Sequence, residues 1–445
     1  MKIKKEHFLL FLIIFLATFL RFYNIAYTEF KADQALNLYL GIDLIKNNFI
    51  TDKILSSSVG LYNPPFFHYL LSLPLILSKN PIFASSFISL LNTLAILICY
   101  LLLKKISSFK TALLGTLFYA VNPWVILYSR HIWHQNALPF FVLIFIYGLV
   151  SLIKNKNGAY LILATAGLSF ALQLHQSTLP LTLLLIFVIF WQKKNIKFIH
   201  LLLSLFGFLL IFTPYFIFEI THNYYNLKQY LKLSHLPWQF HSDALLIPWQ
   251  LSTTLKFENY LGGKLPFVLT HPLPLLALDI LYLALLATAF IWLILNFKKR
   301  QEFLIFILWF WLPVIFLLFN KTSVYRHYFI VLFPVQFIIL ALFISNFLKK
   351  KRGHKCLPVI LSCCIFLLAA YQFLYSFSYL NLIKQKKCFT AEYGPTLKYQ
   401  MEEVDKNLKA GESNFSKILQ QSCQCSPYCY PHAIKYLIDY FKHSL

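Results

Sequence analysis

Long apolar runs separated by short polar segments dominate this chain. Stretches near 8–27, 82–103, 110–128, 133–153, 158–174, 176–192, 198–218, 273–297, 302–320, 325–348 and 356–380 approach the roughly 20 apolar residues that carry a helix across a hydrocarbon core. The pattern predicts an all-α integral membrane protein with about 11 transmembrane helices. Another run, Pro64 to Ser78, is short for a crossing and is expected to lie in the interface, as is the helical periodicity from Leu36 to Lys46. Beyond residue 380 the character changes. Leu397, Met401, Val404 and Leu408, then Ile434, Leu437, Ile438 and Phe441, recur at helical spacing among polar residues. The chain thus divides into a polytopic membrane domain, 1–380, and a small cysteine-containing helical tail, 381–445.

Composition agrees with this pattern. Apolar residues make up 59% of 445 and charged residues only 13%, whereas soluble chains carry about a quarter charged. A formal charge of +24 could indicate nucleic-acid binding, but the cations sit in short clusters between apolar runs and form no stripe with interleaved aromatics. The clusters are Lys2, Lys4 and Lys5; Lys104, Lys105 and Lys110; Lys154 and Lys156; Lys193, Lys194 and Lys197; Lys298, Lys299 and Arg300; and Lys349 to Arg352 with Lys355. With the amino terminus inside, eleven crossings put all six on the cytoplasmic face, as the positive-inside rule requires. Counting 64–78 as a crossing would invert the later ones. Thr18-Phe19-Leu20-Arg21-Phe22 has no small-residue cleavage site, so the first span is expected to remain attached. Two long loops, 28–81 and 219–272, and the tail then face outward, and nearly all of the 16 acidic residues lie with them.

Cys99, Cys356, Cys363 and Cys364 fall in or beside spans, where a thiol packs as a small hydrophobe. Cys388, Cys423, Cys425 and Cys429 lie together in the outward tail, an even number in an oxidising compartment, and are disulfide candidates. Cys423, Cys425, Cys429 and His432 could instead hold zinc, but Cys-x-Cys-x3-Cys-x2-His is a weak ligand spacing. No metal site is expected.

Chemistry-bearing residues collect at the outward ends of spans. Asp33 opens the periodic segment after Thr28-Glu29-Phe30-Lys31-Ala32, a position that also suits a plain helix cap. Tyr62-Asn63-Pro64-Pro65-Phe66-Phe67-His68-Tyr69 forces a turn into the short interfacial helix. Asn122-Pro123-Trp124 leads to Tyr128-Ser129-Arg130-His131, and Tyr325-Arg326-His327-Tyr328 stands before the tenth span. Arg130 and Arg326 are cations on the side where the positive-inside rule disfavours them, and snorkelling to headgroups competes with a role in phosphate binding. His175 with Gln176 sits in a brief outward turn, where a hydrogen-bonded loop histidine is the simpler reading. Asp279, about a turn inside the eighth span, reads as interfacial.

In that order, Arg21-Phe22, Asp33, Asn63-Pro64-Pro65, Asn122-Pro123-Trp124 with Tyr128-Ser129-Arg130, and Tyr325-Arg326-His327-Tyr328 with Phe333-Pro334 resemble the GT-C membrane glycosyltransferases over about residues 8–350. The likeness is to the dolichyl-phosphate-mannose protein mannosyltransferase-like group, which includes bacterial lipid A aminoarabinose transferases and many lipopolysaccharide glycosyltransferases. It implies a polyprenyl-phosphate sugar donor from the membrane and an acceptor hydroxyl (lipid, glycan or protein) approaching from the extracytoplasmic face of the cell membrane. It also implies Asp33 as catalytic base, with Arg130, His131, Arg326, His327, Asn63, His68 and His175 binding substrate. The group usually carries Asp-Glu where this chain has Asp33-Gln34, which weakens any metal role for that pair. A lipid-linked donor fits a chain without a GxGxxG or P-loop fingerprint. The alternatives are a transporter or flippase of an anionic lipid-linked substrate, which should scatter polar residues through several spans, and a catalytically silent scaffold whose tail binds a partner.

Overall fold

The computed structural model describes residues 5–48, 55–57, 60–263, 265, 272–350, 356–386, 389, 391–422 and 430–443. Apart from a two-residue strand pair, Gln239–Phe240 with Phe319–Asn320, and two isolated bridges, its regular structure is helical. All eleven expected segments are helices: α1 Lys5–Phe22, α4 Pro81–Ile106, α5 Phe109–Val121 continued by α6 Pro123–Tyr128, α7 Leu138–Asn155, α8 Tyr160–Leu174, α9 Leu181–Trp191, α10 Phe198–Thr221, α14 Pro272–Asn296, α15 Glu302–Leu318, α16 Phe333–Lys350 and α17 Cys356–Gln385. Among the described residues six helical segments are long and apolar enough to cross a membrane, and five apolar helices are shorter. One cause of shortening is visible at Pro123, where Asn122 ends α5 and its Oδ1 accepts from Val125 N at 3.0 Å to start α6.

The exterior confirms the solvent. Phe198, Leu202, Phe206 and Leu210 of α10 are all exposed, as are Phe8, Phe11 and Phe15 of α1. A contiguous apolar face of this size is stable only against lipid, and the chain is a multi-pass membrane protein. Inside, α4 to α7 and α16 form the core. Gly148 and Gly167 let α7 and α8 touch: a Cβ on either would lie 2.6–2.7 Å from the opposing backbone nitrogen.

The basic clusters meet at one end of this bundle. Lys104 Nζ at the end of α4 is 3.7 Å from Glu6 at the start of α1, and Lys154 at the end of α7 is 3.5 Å from Glu302 at the start of α15. Arg300 donates to the Ile106 carbonyl. Part of the sixth cluster, and Lys2 and Lys4, lie outside the described residues.

The opposite end carries the loops, which are more ordered than their composition suggests. In the first, α2 Ala32–Lys46 and α3 Phe66–Leu77 pack face to face. The 219–272 loop contains α11 Tyr225–Ser234, α12 Asp243–Ser252 and α13 Phe257–Leu261. These helices were not foreseen, because Pro248 interrupts the apolar pattern of α12. Buried Ile247, Pro248 and Leu251 carry α12 into the bundle, where its carbonyls need partners that lipid cannot supply. Three amides from spans supply them: Gln336 Nε2 donates to Pro248 O at 2.6 Å, and Asn122 Nδ2 and Gln372 Nε2 both donate to Ser252 O, at 3.0 and 3.1 Å. Asp279 is buried, not interfacial. It accepts from Thr254 N at 3.1 Å, Thr254 Oγ1 at 2.6 Å and Tyr371 OH at 3.3 Å, tying the same loop to α14 and α17.

The tail is folded onto the first loop. Helices α18 Leu397–Lys409, α19 Phe415–Ser422 and α20 Pro431–Phe441 follow an antiparallel bridge between Glu29 and Thr396. Phe30 N donates to Pro395 O at 3.2 Å, Leu397 N to Thr28 O at 2.7 Å and Tyr39 OH to Asp439 at 2.5 Å. Cys388, Cys423, Cys425 and Cys429 lie outside the described residues. Replacing Asn122 by Ala removes a helix cap and a donor to Ser252 together, at a cost of about 1–3 kcal/mol. Thermal unfolding in detergent should show a clearly lower midpoint for Asn122→Ala; an unchanged midpoint would mean that α12 is held by packing alone.

Candidate active site

The site begins where α1 ends. Asn24 adopts the left-handed conformation at φ +57°, stopping the helix and turning its last carbonyls inward. Arg130 meets them. Its Nη1 donates to Leu20 O at 3.2 Å and Tyr23 O at 2.6 Å, its Nη2 to Asn24 O at 2.6 Å, and its own carbonyl accepts from Thr28 Oγ1 at 3.2 Å. Arg130 is 1% exposed. Its guanidinium therefore satisfies a helix end and fixes the path of residues 24–31.

That path delivers Glu29, 2% exposed, whose carboxylate is 2.9 Å from Lys31 Nζ, 3.9 Å from His131 Nδ1, and accepts from Gly394 N at 3.0 Å. Burial pushes the Glu29 carboxyl up, but Lys31, His131 and the Gly394 N–H outweigh it and hold the group below the ordinary carboxylate value. His131 is pulled down to about 4, by burial first and against the pull of Glu29, so it is neutral at pH 7. Gln34 caps α2 by accepting from Lys31 N at 2.9 Å. The Gln34 amide is thus engaged with the Lys31 backbone, and its Nε2 lies 3.5 Å from Glu29 Oε1.

Asp33 stands in the first turn of α2 and opens into a cavity of about 860 Å³. Its carboxyl is raised from the ordinary aspartate value, chiefly by burial and slightly by Glu29, while a hydrogen bond from Trp133 and the charge of Lys31 pull the other way. Trp133 also stacks at 4.7 Å on His327. Arg326 and His327, from the turn that precedes α16, line the cavity with Asp33, and the Arg326 guanidinium lies 5.9 Å over the Trp124 ring and pairs with Glu392 of the tail. The structure thus brings Asp33, Arg326 and His327 together.

The other predicted residues lie elsewhere. Arg130 and His131 do not line the cavity but brace its floor. His68 is buried between α2 and α3 with Nε2 3.2 Å from Asn37 Oδ1, its pKa lowered to about 4 by burial. Asn63 belongs to the turn before α3, its N–H on Leu55 O. His175 bonds Ser177 Oγ at 3.0 Å and meets His327 edge-on with ring centroids 6.2 Å apart, behind the cavity wall.

The cavity also contains charges that sequence reasoning missed: Glu29, Lys31, Asp243, Lys256 and Glu392. Glu29 and Lys31 stood in the quoted motif beside Asp33; Lys256 and Glu392 come from the second loop and the tail, whose approach no local pattern announces. Lys256 holds a left-handed backbone at φ +58°, unusual for lysine, and among the described residues it has no carboxylate partner. No three His, Cys, Asp or Glu side chains of the described residues group at metal-binding range.

Residues 62–218, about a third of the chain, match the family described as dolichyl-phosphate-mannose-protein mannosyltransferase. No curated protein sequence matches. Among solved structures the chain is similar to the Archaeoglobus fulgidus oligosaccharyltransferase solved with Zn and sulfate (TM-score 0.59, 14% identity, covering 97% of this chain and 61% of that one). It is likewise similar to the oligosaccharyltransferase AglB of that organism in complex with an inhibitory peptide and a dolichol-phosphate (0.55, 14%, 98% and 64%). A third is ArnT from Cupriavidus metallidurans bound to undecaprenyl phosphate (0.53, 11%, 98% and 77%). The chain spans about three fifths of the length of the archaeal enzyme. It has the fold of the GT-C glycosyltransferases.

Because three hydrogen bonds from Arg130 hold α1, Arg130→Met should lower thermal stability by several kcal/mol, at roughly 1.5–3 kcal/mol for each charged hydrogen bond. Unfolding of the purified variant checks this; normal stability with weakened polyprenyl-phosphate binding would instead make Arg130 a ligand.

Proposed function

We propose that this chain is a membrane glycosyltransferase that moves a sugar from a polyprenyl-phosphate donor to an acceptor hydroxyl, with Asp33 as base and Arg326 on the leaving phosphate. The observation that carries the reading is the shared cavity: a carboxylate and an arginine from segments nearly 300 residues apart line one space wide enough for a sugar phosphate. The fold, and the dolichol-phosphate and undecaprenyl phosphate bound in two structures with the same fold, support it.

In this reaction the acceptor oxygen attacks the anomeric carbon, the bond from that carbon to the phosphate oxygen breaks, and Asp33 takes the hydroxyl proton. The phosphate departs with one more negative charge. Arg326, together with Lys256, meets that charge; a cation at 4 Å in an effective dielectric of 20 contributes roughly 4 kcal/mol before desolvation. The raised Asp33 carboxyl is a stronger base than an ordinary aspartate.

The basic end of the bundle faces the cytoplasm by the positive-inside rule, so the cavity and tail face outward from a cell membrane. Three amides of the spans, Asn122, Gln336 and Gln372, of the kind a transporter would use for passage, are engaged instead with the backbone of α12.

Asp33→Asn should fold normally and lose turnover by about 10²-fold or more, read as glycosylated product by mass analysis with a panel of polyprenyl-phosphate sugars. Wild-type turnover in this variant would remove Asp33 from the chemistry. The rate should fall as pH drops through the Asp33 pKa, and because that pKa is raised, the acid limb should lie above the ordinary value of about 3.9.

Arg326 is already paired with Glu392, so an incoming phosphate must displace that carboxylate. Glu392→Gln should therefore lower the KM for the donor several-fold with little change in kcat. A raised KM would make Glu392 a donor ligand instead.

A further inference from the structure

At the basic end of the bundle, far along the helices from Asp33, a smaller cavity of about 210 Å³ opens between the last turns of α4, α14 and α16 and the first turn of α15. Its polar lining is Lys299, Arg300, Lys349, Asn296, Asn346 and serine hydroxyls, and Trp292 and Phe303 supply an apolar wall. No carboxylate lines it.

The cations divide into two kinds. Arg300 is fixed: its Nε and Nη2 donate to Glu302 Oε1 at 3.1 and 2.5 Å, and its guanidinium lies 4.7 Å over the Phe303 ring. Glu302 is also 3.5 Å from Lys154, so its single charge already serves two cations. Lys299 and Lys349 are left, among the described residues, without a carboxylate partner. The surrounding frame is rigidly built. Ser107 Oγ bonds Thr111 Oγ1 at 2.9 Å, and Thr111 Oγ1 donates to Ser345 Oγ at 2.6 Å, fastening α4, α5 and α16 around the opening.

Two exposed lysines without a carboxylate partner among the described residues, with the Asn346 amide at the mouth of a partly open cavity, call for an anion rich in oxygen acceptors. Ile291 and Leu295, one position round α14 from the lining residues Trp292 and Asn296, are exposed apolar side chains beside the opening. A ligand that satisfies both surfaces has a phosphate head and hydrocarbon chains. We propose that this cavity binds the phosphate headgroup of an acidic membrane lipid, whose chains lie along Ile291 and Leu295. The site is separate from the proposed transferase reaction and does not depend on it.

The test uses the purified full chain in phosphatidylcholine nanodiscs titrated with phosphatidylglycerol, with retained lipid counted by native mass spectrometry. One phosphatidylglycerol should be retained in preference to phosphatidylcholine. The Lys299→Gln/Lys349→Gln variant should weaken that retention by roughly tenfold, as expected when two cations near the membrane surface are removed. Lys193→Gln/Lys194→Gln, on the same end but outside the cavity, should retain the lipid normally, and an excess of inorganic phosphate should not displace it. Equal retention of the two lipids, equal loss in both double variants, or release by inorganic phosphate would each overturn the assignment. Unfolding midpoints of both variants in lipid-free detergent should match the wild type, and a fall confined to the cavity variant would count against it by making the lysines structural.

Discussion

The arrangement of the cavity depends on one buried guanidinium. At the end of a membrane helix the last carbonyls have no partner in the helix and none in lipid, and leaving them bare costs several kcal/mol apiece. Arg130 supplies hydrogen bonds to three of them, at Leu20, Tyr23 and Asn24, from a loop between α6 and α7. The chain leaving α1 therefore has one direction. Five residues on from Asn24, it places Glu29 against His131, Lys31 and the Gly394 N–H, and four more bring Asp33 to the cavity mouth. The tail joins the same construction through Glu29 and Glu392, so the site is assembled from both ends of the chain and from the loops between them.

Much of this was legible in the sequence, and the physics says why. Crossing a bilayer demands a run of apolar residues, so the long apolar helices announce themselves by composition, and short polar breaks leave little freedom in connecting them. Helix α12 was not legible. Its carbonyls are met by three amides, Asn122 between α5 and α6, Gln336 of α16 and Gln372 of α17, a relationship that exists only after folding. Those amides, which in sequence look like functional polar groups within spans, are the means by which a loop enters the bundle.

The two arginines make the same point about the site. Arg130 and Arg326 have the same sequence surroundings: the ends of apolar runs, a following histidine, nearby aromatics. What separates them is burial and the identity of the nearest acceptors, carbonyls for Arg130 and the Glu392 carboxylate for Arg326. An arginine facing a carboxylate at the rim of a cavity can exchange it for another anion; one whose Nη1 and Nη2 hold three carbonyls at a helix end cannot without releasing the helix. Lys256 and Glu392 remained hidden because their loops approach the cavity from distant parts of the chain.

The most direct test is a structure of the full chain with a polyprenyl phosphate bound. The account predicts the phosphate on Arg326 and Lys256, the Glu392 carboxylate turned away, and the Arg130 guanidinium still on the carbonyls of α1. A phosphate seated on Arg130, or bound outside the cavity that Asp33 lines, would contradict it.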